Sequence, residues 1–236
     1  MISIIIPVFN EEKTIVSCLE NLVTQCASQC VLEILLVDGG STDHTAQHIS
    51  EFISSKPKIP TQLLFSEKGR AVQMNKGAEQ AKGSILYFLH ADGLPPEHFD
   101  ELITEEIKKE NYAGCFRIKF DDSHWWLQLM GWFTRFNEKS CRGGDQSLFV
   151  TKKLFEEIGG FDESFIVYED NDFIQKLYTM NQFTVIQKPL ITSARKYREV
   201  GVGKLQYYYL MIYFKKWLGS TPEELYAYYK SKVENN

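Results

Sequence analysis

Two hydrophobic periods take turns along the first part of the chain. Short, nearly unbroken apolar runs at Ile2–Val8, Leu32–Val37, Gln62–Phe65 and Ser84–Leu89 have the length and β-branched character of strands buried on both faces, as in a parallel sheet. Helical patterns separate them: one from Asn10-Glu11-Glu12 to about Gln25, one from the turn at Gly39-Gly40 to about Ser54, and one from about Ala71 to Ala81. Asn10 is read as the N-cap of the first helix, and Ser41 or Thr42 as that of the second. This strand–helix alternation predicts an α/β fold: a mostly parallel central sheet with right-handed crossovers and helices on both faces.

The second half is less regular. A helix is expected from Pro95-Pro96-Glu97 to about Lys109, a strand over Tyr112–Phe120 and an aromatic-rich helix over Ser123–Phe136. A glycine-marked turn from Cys141 runs into a strand at Phe149, followed by a helix over Lys152–Ile158. Tyr168-Glu169-Asp170-Asn171-Asp172 opens a further helix to about Tyr178, and no element is read between there and Arg195. The tail holds Tyr207–Phe214, eight consecutive apolar or aromatic residues flanked by lysines, and a capped helix from Thr221 to Val233. That aromatic segment suits a buried terminal helix, a homodimer contact or a peripheral membrane contact through residues 204–217.

Composition narrows the function classes. A chain of 236 residues with 44% hydrophobic content can bury a substantial core. Its formal net charge of −5 lacks the basic face that nucleic acid demands. Five cysteines with no zinc-like spacing read as reduced, mostly structural thiols. The expected location is therefore cytoplasmic, at most peripheral at the inner face of a membrane, with no stretch near the ~20 apolar residues of a span. No GxGxxG or GxxxxGK[ST] glycine pattern follows the first strand, which argues against dinucleotide cofactors and P-loop chemistry.

Candidate chemistry gathers at the strand ends. Asn10-Glu11, Asp38 and His90-Ala91-Asp92 each follow an apolar run, and in open α/β sheets ligands bind beyond the carboxyl ends of the strands. A carboxylate there suits a divalent cation shared with a phosphate-bearing substrate. Arg70, where a helix begins, suits phosphate. Glu169 and Asp170 either complement the helix dipole or, facing the crevice, supply a general base.

Together these motifs resemble glycosyltransferase family 2. Ile4-Ile-Ile-Pro-Val-Phe-Asn-Glu11 is similar to that family's first strand and loop, and Val37-Asp-Gly-Gly-Ser-Thr-Asp43 to its nucleotide-binding turn. Gly69-Arg-Ala-Val-Gln-Met-Asn-Lys-Gly77 resembles its third element, His90-Ala-Asp92 stands at its metal-binding DxD motif, and Glu169-Asp170 looks like its acceptor-side acidic pair. The likeness runs from residue 2 to about 198 and is strongest to a short, single-domain bacterial branch whose acceptor is generally unassigned. It implies a GT-A catalytic domain over 1–200, with a nucleotide-binding half 1–93 and an acceptor half 94–200, followed by a helical tail over 201–236.

The implied activity is inverting transfer of a sugar from a nucleotide-diphosphate donor to a lipid-linked, glycan or small-molecule hydroxyl. The resemblance assigns donor binding to Pro7, Asn10, Glu11, Asp38, Arg70, Asn75, Ala91 and Asp92, and an acceptor-side loop to Asp145 and Gln146. It makes Asp170 the base, with Glu169 as second choice, and gives a divalent cation, Mn²⁺ or Mg²⁺, to Asp92 with His90. Two departures stand out: His90 replaces the first acid of DxD, and Gly39 stands where many relatives have a second aspartate. Arg195 and Arg198 either contact diphosphate or pair with surface acids. The rival readings are a sugar-phosphate nucleotidyltransferase, which would carry a basic glycine-rich loop after the first strand, and a non-catalytic nucleotide-sugar-binding module, which would need no acidic pair.

Overall fold

A computed structural model describes residues 1–26, 30–143 and 146–234. The first strand, β1 (Ile2–Val8), lies between two parallel neighbours, β2 (Val31–Asp38) and β4 (Ile85–Phe88), and β3 (Thr61–Phe65) extends the sheet beyond β2. The apolar runs make this arrangement obligatory, because both faces of β1 are covered. Ile2, Ile4, Ile6 and Val8 enter one core cluster and Ile5 the other. Each such side chain contributes about 1.5–3 kcal/mol on burial. The one polar side chain inside β1, Ser3, is satisfied: its hydroxyl donates to buried Glu33 at 2.7 Å and accepts from the Gly83 amide at 2.8 Å.

The helices α1 (Ile15–Gln25), α2 (Thr45–Ser54) and α3 (Arg70–Gln80) connect these strands. Helix α1 starts later than its polar flank suggests, because Asn10 does not cap it. Asn10 adopts a left-handed backbone (φ 56°), and its side-chain oxygen accepts from the Thr42 amide at 2.8 Å. The loop after β1 is thereby laced to the turn after β2 and cannot continue as helix.

The second half adds α4 (Phe99–Lys108), β5 (Ala113–Phe120), α5 (Trp125–Phe133), β6 (Leu148–Thr151), α6 (Lys152–Ile158) and α7 (Glu169–Thr179). Strand β6 runs antiparallel to both β4 and β5. A further strand, β7 (Thr184–Thr192), pairs parallel with β5 and completes the seven-stranded order β3-β2-β1-β4-β6-β5-β7. Sequence reading found no element there because Pro189 interrupts the run. The register shifts between Phe116 and Arg117, where Pro189 enters, and an edge position with an irregularity is where a strand tolerates a residue lacking an N–H. The sheet is mostly parallel, with helices on both faces, as expected.

The tail forms α8 (Arg195–Val200), α9 (Val202–Trp217) and α10 (Pro222–Tyr229). Helix α10 starts with a full capping box between Thr221 and Glu224. Leu205 joins Phe120, Leu127 and Tyr197 in one cluster, and Ile212 and Leu225 close over Phe165 in another. Among the described residues no helix is long and apolar enough to cross a membrane.

Candidate active site

The parallel strands β1, β2 and β4 end on one edge, and that edge carries Pro7, Asp38 and the loops bearing Asn10, Glu11, His90, Ala91 and Asp92. Asp38 is the last residue of β2 and is only 2% exposed. Its Oδ1 accepts from the amide of Ser41 at 2.8 Å and from the hydroxyl at 2.7 Å, which fixes the turn through Gly39 and Gly40. Pro7 pairs opposite Val37 near the end of β1. A residue not foreseen, Gln73, staples this edge from α3: its buried Nε2 donates to the carbonyls of Val8 at 2.8 Å and Val37 at 2.7 Å. A Cβ on Gly39 would lie 3.0 Å from that amide. Gln73 thus fills the space that a side chain at position 39 would enter, and nothing in the sequence around it marks that role.

Glu11 and Asp92 form one corner. Glu11 accepts a hydrogen bond from Thr14 at 2.6 Å and pairs with Arg195 at 3.2 Å. Burial alone would lower the Arg195 pKa, but the hydrogen bond to Glu11 and the charges of Glu11, Asp92 and Glu199 raise it. Burial pushes the neighbouring Cys18 thiol up to about 12, with Asp92 and Glu11 adding to the shift. Arg198 lies apart, paired with Asp121 and Asp122 at 3.1 and 3.2 Å. Ala91 is buried between His90 and Asp92.

The second corner joins the two halves of the chain. Arg70, the first residue of α3, places Nη1 3.2 Å from Glu169 Oε1 and 3.6 Å from Asp170 Oδ2. His90 Nε2 approaches the same Asp170 oxygen at 3.9 Å. The two carboxylates lie in the first turn of α7, with side chains only 3% and 7% exposed, where the helix dipole favours negative charge. Burial raises the Glu169 pKa, against the lowering effect of the Arg70 charge. Glu169 Oε2 is buried with no hydrogen-bond partner. Tyr168, just before the pair, holds a left-handed backbone (φ 80°).

Two predicted residues are engaged elsewhere. Asn75 donates to the Phe161 carbonyl at 2.9 Å and to Glu163 at 2.8 Å, and accepts from the Phe161 amide at 3.0 Å. It ties α3 to the loop before α7. Gln146 is buried, accepts from the Gly143 amide at 3.4 Å, and has an Nε2 without a hydrogen-bond partner. Asp145 lies outside the described residues. Among the described residues no three His, Cys, Asp or Glu side chains gather as a metal cage. Asp92 and His90 therefore fit a cation only if the remaining ligands come from a bound diphosphate and water, the usual pattern for Mg²⁺.

The family model "Glycosyl transferase family 2" matches residues 3–160. "Glycosyltransferase AglE" of Haloferax volcanii is 33% identical over 173 residues, covering 70% of this chain and 57% of that protein. "Undecaprenyl-phosphate 4-deoxy-4-formamido-L-arabinose transferase" of Pectobacterium carotovorum is 32% identical over 125 residues, covering 52% of this chain and 38% of the relative. The chain thus spans about half, or less, of the length of these curated relatives. Among solved structures, the mannosyltransferase PcManGT from Pyrobaculum calidifontis, in complex with GDP-Man and Mn²⁺, superposes with a TM-score of 0.69 at 19% identity, covering 99% of this chain and 68% of that one. It shares the fold that the motif resemblance implies.

Proposed function

The chain belongs to glycosyl transferase family 2, and from that premise we propose that it moves a sugar from a nucleoside-diphosphate donor to a hydroxyl acceptor, inverting the anomeric centre. The observation that carries this reading is the meeting of Arg70 and His90, from the donor-side strand ends, with Glu169 and Asp170 on α7. A cation and a carboxylate pair from opposite halves of the chain provide both things a direct displacement needs: a binder for the leaving phosphate and an acceptor for the incoming proton.

In this mechanism Asp38 and the Asn10 loop hold the nucleoside, and Arg70 binds the diphosphate. Asp170 takes the proton from the acceptor hydroxyl as its oxygen bonds to the anomeric carbon. The bond from that carbon to the diphosphate oxygen breaks, and its electron pair leaves with the nucleoside diphosphate. Glu169, more deeply buried, anchors Arg70. Asp92 and His90 are the residues that would hold a divalent cation against the donor, where it would neutralise charge developing on the leaving group. The Mn²⁺ and GDP-Man bound by the Pyrobaculum enzyme support use of a divalent cation, and the undecaprenyl-phosphate named for the Pectobacterium relative favours a lipid-linked acceptor.

The test is incubation with UDP-, GDP- and dTDP-sugars and Mn²⁺ while nucleoside diphosphate release is followed. Asp170→Asn is expected to abolish turnover and leave donor affinity by calorimetry nearly intact. Full turnover in that variant would move the proton to Glu169. Pyrophosphate release from a nucleoside triphosphate and a sugar phosphate would replace the transferase reading with a nucleotidyltransferase.

A further inference from the structure

Helix α9 buries one side and leaves the other apolar. Leu205 and Ile212 face inward. On the outward side Tyr207, Leu210, Phe214 and Trp217 follow one another at helical spacing and are 57, 57, 49 and 78% exposed. A helix with a solvent-facing stripe of this kind has a second partner besides its own core.

The charges beside the stripe say which kind. Helix α9 contains Lys204, Lys215 and Lys216 and no acidic residue, within a chain of net charge −5. Two ammonium groups flank the stripe over aromatic faces, Lys204 over Tyr208 at 6.0 Å and Lys215 over Tyr228 at 5.3 Å, whereas Lys216 turns inward over the buried Phe165 at 4.4 Å. A second copy of the chain is a poor match, since a two-fold contact would set these cations against themselves. An anionic lipid surface matches both properties: its headgroups meet the lysines, and its interfacial zone accepts tryptophan and tyrosine rings with apolar neighbours.

At the border of the stripe, Tyr213 touches residues that flank the acidic pair of α7. The Tyr213 hydroxyl lies 3.1 Å from Asn171 Oδ1 and 3.3 Å from the Arg142 carbonyl, and its ring packs edge-on against Tyr168 at 5.3 Å between centroids. Tyr168 and Asn171 bracket Glu169 and Asp170 in the chain. We infer that α9 docks the protein on an anionic membrane surface through the Tyr207–Trp217 stripe, and that the acceptor hydroxyl or phosphate belongs to a lipid of that surface. The docking stands on the stripe and its flanking lysines; only the identity of the acceptor rests on the transferase reading above.

Co-sedimentation of the full chain with phosphatidylglycerol–phosphatidylcholine vesicles, without nucleotide, tests the docking separately from catalysis. Binding is expected to fall about tenfold in Leu210→Glu/Trp217→Glu, and also for pure phosphatidylcholine vesicles or in high salt, where headgroup attraction is lost or screened. Both substituted side chains are exposed, so the variant should keep its melting temperature and its affinity for nucleoside diphosphate. Absence of wild-type binding to the anionic vesicles, equal binding by the double variant, or a dimer in light scattering that the substitutions split without any vesicle binding would each overturn the proposal. Vesicle binding together with no nucleoside diphosphate release in the donor screen described above would uphold the docking while removing the transferase premise.

Discussion

Glu169 shows how a single buried carboxyl reports on the site. Its pKa is raised by burial above the ordinary 4.5, so the folded chain holds that proton more tightly than the unfolded one. The associated stability is complete below the unfolded value and is lost as pH rises through the higher folded value. Glu169→Gln keeps the shape and drops the charge, so its melting temperature should exceed that of the native protein at about pH 8 and match it at about pH 4. An equal or lower value at the higher pH would mean that the attraction of Arg70, 3.2 Å away, outweighs desolvation. Asn75 gives a contrasting case. With three hydrogen bonds to Phe161 and Glu163, Asn75→Ala is expected to cost about 1–3 kcal/mol of unfolding free energy in urea. Reduced donor affinity at unchanged stability would return this residue to nucleotide binding. The strand-end carboxylates were legible from sequence because an apolar run that stops at Asp38 or Asp92 places the charge at a sheet edge by construction. Gln73 was not, since a glutamine inside a helix gives no sign that it faces two strand carbonyls.

At the scale of elements, periodicity served where it was uninterrupted. Strands β1, β2 and β4 are recognisable from their apolar runs alone, and the end of α6 coincides with Ile158 as read. It failed at β7, where Pro189 breaks the run and the pairing with β5 shifts register to accommodate it. It also misplaced the start of α1, because capping by Asn10 competes with long-range bonds to Ser41 and Thr42 that no local window contains. The closeness of β5 to its neighbours has a direct test. A Cβ at Gly114 would fall against the Thr184 carbonyl and 2.8 Å from the Phe149 ring, so Gly114→Ala should destabilise by roughly 1–3 kcal/mol or more. A shift in urea midpoint with unchanged slope would check it; an unaltered midpoint would mean that the β5–β7 pair can open to admit a methyl group.

At the scale of the molecule, the tail is packed into the body. Removing residues 202–236 would uncover Phe120, Tyr197 and Phe165, which Leu205, Ile212 and Leu225 now cover. The truncated chain is expected to melt at a lower temperature and to lose sugar transfer together with the Tyr213 contacts to Asn171 and Tyr168. A truncated chain with native melting and full transfer would make the tail an independent appendage. The sheet order carries a different consequence. Strand β6 is inserted between β4 and β5, although both precede it in the chain. A polypeptide leaving the ribosome therefore displays bare hydrogen-bonding rows on two finished strands until Leu148–Thr151 emerges. Unpaired edges of that kind are where misassembly begins. Even once β6 is in place, the far edge of β5 stays bare until Thr184–Thr192 follows, so the second half of the sheet closes only late in synthesis.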